Sequence, residues 1–365
     1  MLHLVPGETG GSEIYARNLL RALQEAGTAE LVVFAAREAA GTFAPGVPVV
    51  EVPVPARKRV ARVLAEQTRL PRAVRRARVD VLHNLFTTAP AVAGVPQVTT
   101  IYDLIYRTHP ETHGSVLARG MALLARVSAR TSRRVLVPSE ATKSDVVRYL
   151  GVAPEQVDVA YAGPGMPAVA VPARDEDLRE RFHLGDEPLV LTVSAKRPHK
   201  NLARLLEALA RVDAEPRPVL VVPGYATPFE ADLEEHARRL GIADDVRFCG
   251  WVDDATLDGL YRAARCFVFP SLAEGFGLPV LEAMLRDTPV ACSRATSLPE
   301  VAGEAALYFD PLDTAAIGRA IEQLLRDSEL RERLVTAGRQ QARRFSWERT
   351  AEATLRSYEL ALQGS

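Results

Sequence analysis

Two acidic side chains eight positions apart, Glu274 and Glu282, fall in the stretch CFVFPSLAEGFGLPVLE that runs from Cys266 to Glu282. Two lysines, Lys196 and Lys200, fall in AKRPHKNL from Ala195 to Leu202, although the chain has only four lysines against 41 arginines. A carboxylate accepts paired hydrogen bonds from neighbouring hydroxyls, and a compact ammonium suits a phosphate whose negative charge grows as it leaves. These types at these spacings could hold a sugar, a ribose and the diphosphate between them.

The elements needed to position them are legible nearby. Cys266 to Phe269 is an apolar run with the composition of a buried parallel strand, stopped by Pro270 and Ser271. Gly275 and Gly277 let the following loop turn sharply and approach a ligand, and Pro279 fits a first helical position where its missing N–H costs nothing. A strand, a glycine loop and a helix N-terminus in that order attract anionic oxygens. Strand and helix patterns alternate along the whole chain, so the fold class is α/β with parallel sheets covered by helices. Leu2 to Pro6 reads as the first strand, followed by the glycine loop GETGGS and a helix from about Glu13 to Ala26. Ala162 to Asp186, rich in proline, glycine and charge, reads as the linker between two domains.

EGFGLPVLE resembles the E-x7-E motif of the retaining GT-B glycosyltransferases of family 4, which use nucleotide sugars. The resemblance implies two Rossmann-like domains facing each other across a cleft, with boundaries at 1–170 and 171–345 and a last helix, 346–362, packed back on the first domain. It gives Glu274 the sugar hydroxyls, Glu282 the ribose, and Gly275, Phe276, Gly277 and Leu278 the donor sugar and phosphates. Gly10 and Gly11 would contact those phosphates from the first domain. Lys200 and Asn201 match the family's basic loop; Arg197, with Lys196 as second choice, stands for its upstream arginine. Gly250 and Val252 would meet the base through backbone groups, so the sequence does not name it. Where many members have His-Asp-Leu this chain has Tyr-Asp-Leu, which leaves Tyr102, His109 or His113 to approach the sugar and singles out Asp103 beside them. His83, in DVLH, matches a cleft-edge position, for which capping of a strand end is the simpler reading.

The expected activity is transfer of a hexose of mannose or glucose type, with retention, from a GDP or UDP sugar to a sugar or lipid-linked hydroxyl acceptor in polysaccharide or glycolipid synthesis. An epimerase or hydrolase of the same fold, or an idle donor- or lipid-binding subunit, would carry the same motifs. No Asp-x-Asp pair or histidine cluster with ligand spacing calls for a metal, and no cofactor is expected.

At 365 residues, 47% hydrophobic and 25% charged, the chain has the composition of an ordinary globular protein long enough for two domains. No apolar run reaches the length of a membrane span, no signal sequence opens the chain, and three widely spaced cysteines suit free thiols in a reducing cytoplasm. The net charge of -1 hides an asymmetry: residues up to Ala170 hold 20 basic against 14 acidic side chains, and Arg57 to Arg78 has nine against one. A solvated arginine-rich face and a patch for the inner face of an anionic membrane both fit that pattern, whereas no nucleic-acid motif accompanies it.

Overall fold

The computed structural model describes residues 1–8, 10–44, 46–110, 115–166 and 169–363, without the side chains of 115–118. Contacts divide the chain into two compact units, Met1–Gly165 with Phe345–Ser365, and Met166–Arg344. Every pairing between strands is parallel.

The first unit holds a two-stranded sheet, β1 (Val33–Ala36) with β2 (Val49–Val52), and a four-stranded sheet in the order β3 (Leu82–Asn84), β4 (Gln97–Thr100), β5 (Arg134–Val137), β6 (Val157–Val159). β4 is buried along its whole length although three of its four residues are polar. Each polar group there has a partner: the Asn84 amide donates to Gln97 Oε1 at 3.1 Å, Gln97 donates to the Pro90 carbonyl at 3.0 Å, and Thr99 meets Ser132 at 2.7 Å. Ser139 caps the helix after β5 by accepting from the Thr142 N–H at 3.0 Å, and Gly151 closes the helical stretch in the left-handed region. The C-terminal helix Trp347–Gln363 lies in this unit. Trp347 donates to the Pro164 carbonyl at 2.8 Å, Thr350 to the Tyr161 carbonyl at 2.6 Å, and Ser357 to Asp158 at 2.7 Å.

The second unit is a six-stranded sheet in the order β12 (Ala306–Phe309), β11 (Val290–Ser293), β10 (Cys266–Phe269), β7 (Leu189–Leu191), β8 (Val219–Pro223), β9 (Val246–Gly250). The helix Leu202–Leu209 turns Leu202, Leu205, Leu206 and Leu209 onto Val190, Leu220 and Val268 of the sheet. Full burial of each such leucine contributes about 1.5–3 kcal/mol. From β7 the chain runs outward through β8 and β9, then returns to the other side of β7 with β10. The order therefore reverses between β7 and β10, and in open α/β sheets ligands gather beyond the carboxyl ends of the strands at such a point.

Two sequence expectations are corrected. Leu2–Pro6 pairs with no strand: the Leu4 N–H turns back to the Met1 carbonyl, and Leu2, Leu4 and Val5 are nonetheless buried, so the apolar run reported burial rather than a ladder. The stretch 162–186 is not uniformly linker, because Asp175–Arg181 is a helix with acids in its first turn and basic residues in its last, as the helix dipole favours. Cys249, Cys266 and Cys292 are free thiols, the last two buried. Among the described residues no helix is long and apolar enough to cross a membrane.

Candidate active site

The loops that leave β7 and β10 carry the two sequence motifs, and they meet. Lys200 Nζ lies 2.6 Å from Glu274 Oε1, with both side chains mostly buried. The Lys200 ammonium also sits 5.3 Å from the centre of the Phe269 ring, the last residue of β10.

Six further hydrogen bonds set this pair. Asn201 adopts the left-handed backbone conformation at φ 59°, and its side-chain amide donates to the Pro270 carbonyl at 3.0 Å and the Pro311 carbonyl at 2.8 Å. The Leu272 N–H donates to the His199 carbonyl at 2.8 Å, so the two loops are stitched on both sides of Lys200. From the loop after β11, Thr296 accepts the Glu274 N–H at 2.9 Å, while Ser297 donates to the Glu274 and Phe276 carbonyls at 3.0 and 2.7 Å. Gly277 follows at φ 113°, where a Cβ would stand 2.7 Å from Leu298, and opens the helix Leu278–Leu285 with Pro279 in its first turn. Asn201→Gly keeps the left-handed backbone but takes the amide donor from the buried Pro270 carbonyl and the part-buried Pro311 carbonyl. A loss of about 1–3 kcal/mol is expected, read as a lower denaturation midpoint together with weaker nucleotide binding.

Glu282, eight residues beyond Glu274 and on the helix Leu278–Leu285, is buried and accepts from the Tyr261 hydroxyl at 3.0 Å. Burial pushes its carboxyl up to about 7, against the pull of Arg286, the Tyr261 hydroxyl and the Met166 backbone. Beneath it, the buried Arg286 guanidinium donates through Nε to Asp258 at 2.7 Å and reaches the Glu282 carbonyl at 3.3 Å, and Asp258 also takes the Arg262 Nε at 2.6 Å. Residues Tyr261, Asp258 and Arg286 escape the sequence reading. The only local hint is the i,i+4 spacing of Asp258 and Arg262, which is common on solvated helices.

The raised carboxyl makes stability depend on pH. An unfolded Glu titrates near 4.5 and the folded one near 7, so in that interval the folded chain holds the additional proton and its stability falls as pH rises. The contribution is complete below the lower value and lost above the upper one. Glu282→Gln removes this slope, so its melting temperature relative to the parent is expected to climb between about pH 5 and about pH 8.

Lys196 departs from the expectation that it binds phosphate. Its side chain is fully buried, with Nζ donating to the Val222 carbonyl at 3.1 Å and the Gly224 carbonyl at 2.6 Å and lying 3.3 Å from Glu230. Burial lowers its pKa, opposed by Glu230. It pins the end of β8, where Gly224 stands at φ 130° and any added Cβ would collide with the Ser194 carbonyl. Arg197, the first choice for the upstream basic position, is exposed. Gly250 adopts φ 61° and accepts the Gly224 N–H at 2.8 Å; Val252 is buried. Trp251 between them is 62% exposed and stacks on Tyr225 with ring centres 4.6 Å apart.

In the first unit, Gly10 stands at φ 64° before the helix Gly11–Ala26, and Tyr102 reaches the start of that helix, its hydroxyl 3.5 Å from the Ser12 carbonyl and its ring edge-to-face with Tyr15 at 5.1 Å. Asp103 Oδ1 accepts the Ile105 N–H at 3.0 Å, an Asx turn. His109 ends the short helix Ile105–Thr108 by donating its N–H to the Ile105 carbonyl at 2.7 Å; His113 lies outside the described residues. His83 is held by the Tyr358 hydroxyl at 2.8 Å and Thr100 at 2.7 Å, and burial lowers its pKa to about 3, so it braces a strand end as a neutral ring. Among the described residues no group of three or more His, Cys, Asp or Glu side chains is placed to hold a metal ion.

Residues 173–341 match the family described as glycosyl transferases group 1, and residues 9–163 match glycosyltransferase family 4. The chain is 35% identical to the O-antigen chain mannosyltransferase B of Escherichia coli over 275 residues, covering 72% of this chain and 70% of that protein. It is 32% identical to the MMP alpha-(1->4)-mannosyltransferase of Mycolicibacterium hassiacum, covering 83% of this chain and 74% of that one. Among solved structures, the sucrose-phosphate synthase of Thermosynechococcus elongatus superposes with a TM-score of 0.80 at 21% identity, covering 100% of this chain and 98% of that one. With its fold class and both halves matched, the chain belongs to the glycosyl transferases of group 1 and has the GT-B architecture of two Rossmann-like α/β domains.

Proposed function

We propose that this glycosyltransferase moves a hexose from a nucleoside diphosphate sugar to a hydroxyl of a sugar or lipid-linked acceptor, with retention at the anomeric carbon and without a metal. The observation that carries the reading is the 2.6 Å contact between Lys200 and Glu274 at the carboxyl ends of β7 and β10. It sets a cation for a departing diphosphate directly against a carboxylate able to grip sugar hydroxyls. Glu282, on the helix that opens from the Glu274 loop, supplies the acceptor for ribose hydroxyls, and Arg197 remains available to the phosphates from its exposed position. Mannose is favoured, since two similar proteins are named as mannosyltransferases.

In the proposed reaction the bond from the anomeric carbon to the phosphate oxygen breaks, the acceptor oxygen bonds to the same face of that carbon, and the acceptor's proton passes to the leaving phosphate. Lys200 stabilises the negative charge that accumulates on that phosphate. Incubating the protein with GDP-mannose or UDP-glucose and a panel of glycoside acceptors tests the reading. Nucleoside diphosphate released only with acceptor, and a product whose anomeric proton shows retained configuration, supports it. Release without acceptor would make the protein a hydrolase, and a trapped glycosyl-enzyme adduct would replace the same-face route by a double displacement.

A further inference from the structure

The basic excess of the first unit falls on surfaces that also leave aliphatic side chains in water. The helix Ser115–Thr131 contains no Asp or Glu. Arg119, Leu123, Arg126, Val127 and Arg130 recur on it at helical spacing, so they form one stripe; all five are exposed, Leu123 at 65%. On the helix Arg59–Ala77 the single acid, Glu66, is turned inward and held by His3 at 3.0 Å and Thr88 at 2.7 Å. Its outward stripe of Val60, Leu64, Thr68 and Arg72 therefore carries no negative charge, and Val60 and Leu64 are 75% and 59% exposed.

The segment 89–92 is tied to both helices. The Ala89 carbonyl accepts from Gln67 at 3.1 Å and its N–H donates to Ser128 at 2.8 Å, while Gln67 also takes the Ala91 N–H at 2.8 Å. Val92, beside these anchors, is 77% exposed. Soluble surfaces ordinarily intersperse both signs of charge and keep large aliphatics apart. Here arginines of one sign border aliphatic side chains held on a rigid base.

We propose that this face docks the first unit on an anionic lipid bilayer, with the arginines at lipid phosphates and Leu64, Val92 and Leu123 at the boundary between headgroups and acyl chains. Positive charge without acid matches the negative surface potential of such a membrane, and aliphatic groups interleaved with arginine match an interfacial rather than a spanning mode. The inference does not depend on the proposed transfer reaction, because it concerns binding in the absence of donor.

Sedimentation of the full chain with vesicles tests it. Vesicles of phosphatidylcholine with part of the lipid replaced by phosphatidylglycerol should bind the protein, less so as salt is raised, and phosphatidylcholine alone should bind it at least about tenfold more weakly. Arg119→Ser with Arg126→Ser should lower partitioning onto anionic vesicles about 25-fold, at about fivefold per charge. Leu64→Ser with Leu123→Ser should also weaken binding while leaving the salt dependence as it was. All four substitutions are on the surface, so melting temperature and nucleotide binding should stay at the parent values. Equal binding to both vesicle types, binding to neither, unchanged binding by both double variants, or binding to duplex DNA in preference to anionic vesicles would overturn the proposal.

Discussion

Lys200→Met is expected to lower acceptor-dependent turnover by about 10²-fold or more, with a smaller rise in the apparent KM for donor. One preorganised donor aimed at developing charge is worth about that much in the rate. The ammonium is placed by the Asn201 amide and by the cross-loop hydrogen bond to His199, so its location is built before donor arrives. Lys200→Arg should not restore the rate, because a broad planar guanidinium does not fit a site where Glu274 Oε1 stands 2.6 Å from a compact ammonium. Glu274→Gln should lower turnover comparably, and Lys200→Met with Glu274→Gln should cost little more than either alone, since the two side chains act as one unit. Additive losses from steady-state kinetics would separate their roles and remove the contact as the basis of the proposed function.

Arg286→Met is expected to lower the melting temperature by about 10 °C, because it removes the buried one of the two arginines that pair with the fully buried Asp258 carboxylate, leaving only the half-exposed Arg262, and takes a cation from beside Glu282. Breaking a buried pair on one side costs about 3–5 kcal/mol, and about 1 kcal/mol shifts a unit of this size by 2–4 °C. Asp258→Leu combined with Arg286→Met should regain most of that loss, since no charge is then left alone in the interior. Recovery of stability without recovery of nucleotide affinity would show that the network is present to position Glu282. An Arg286→Met variant as stable as the parent in differential scanning calorimetry would show that Arg262 alone compensates the Asp258 carboxylate, and would refute this account.

Pattern and punctuation carried much of the second unit. Val219–Pro223, Phe229–Leu240 and Cys266–Phe269 are bounded in the folded chain where proline, glycine and the apolar runs end in the sequence. These boundaries are local events, set by a missing N–H, a left-handed glycine or a change of hydrophobic period. The first strand failed for a related reason. Leu2, Leu4 and Val5 are apolar because they are buried, and alternation cannot tell a buried turn from a buried ladder.

The chemistry divides along the same line. Glu274, Glu282 and Lys200 could be singled out by residue type and motif, because ammonium and carboxylate groups on glycine loops have a restricted set of uses. Which of two neighbouring lysines is taken up inside the fold could not, since both stand in the same eight-residue stretch and only the tertiary structure decides that Lys196 is consumed by the carbonyls of Val222 and Gly224. Asp258, Tyr261 and Arg286 likewise acquire meaning only when the helix Asp254–Ala263 packs beside Leu278–Leu285 and removes their water. The sequence alone determined the α/β class, the motifs and most element limits, because those depend on interactions within a few residues. Tertiary structure decided burial, and with it which charges are paired, shifted or left for a substrate, because the energy of a charge depends on everything packed around it.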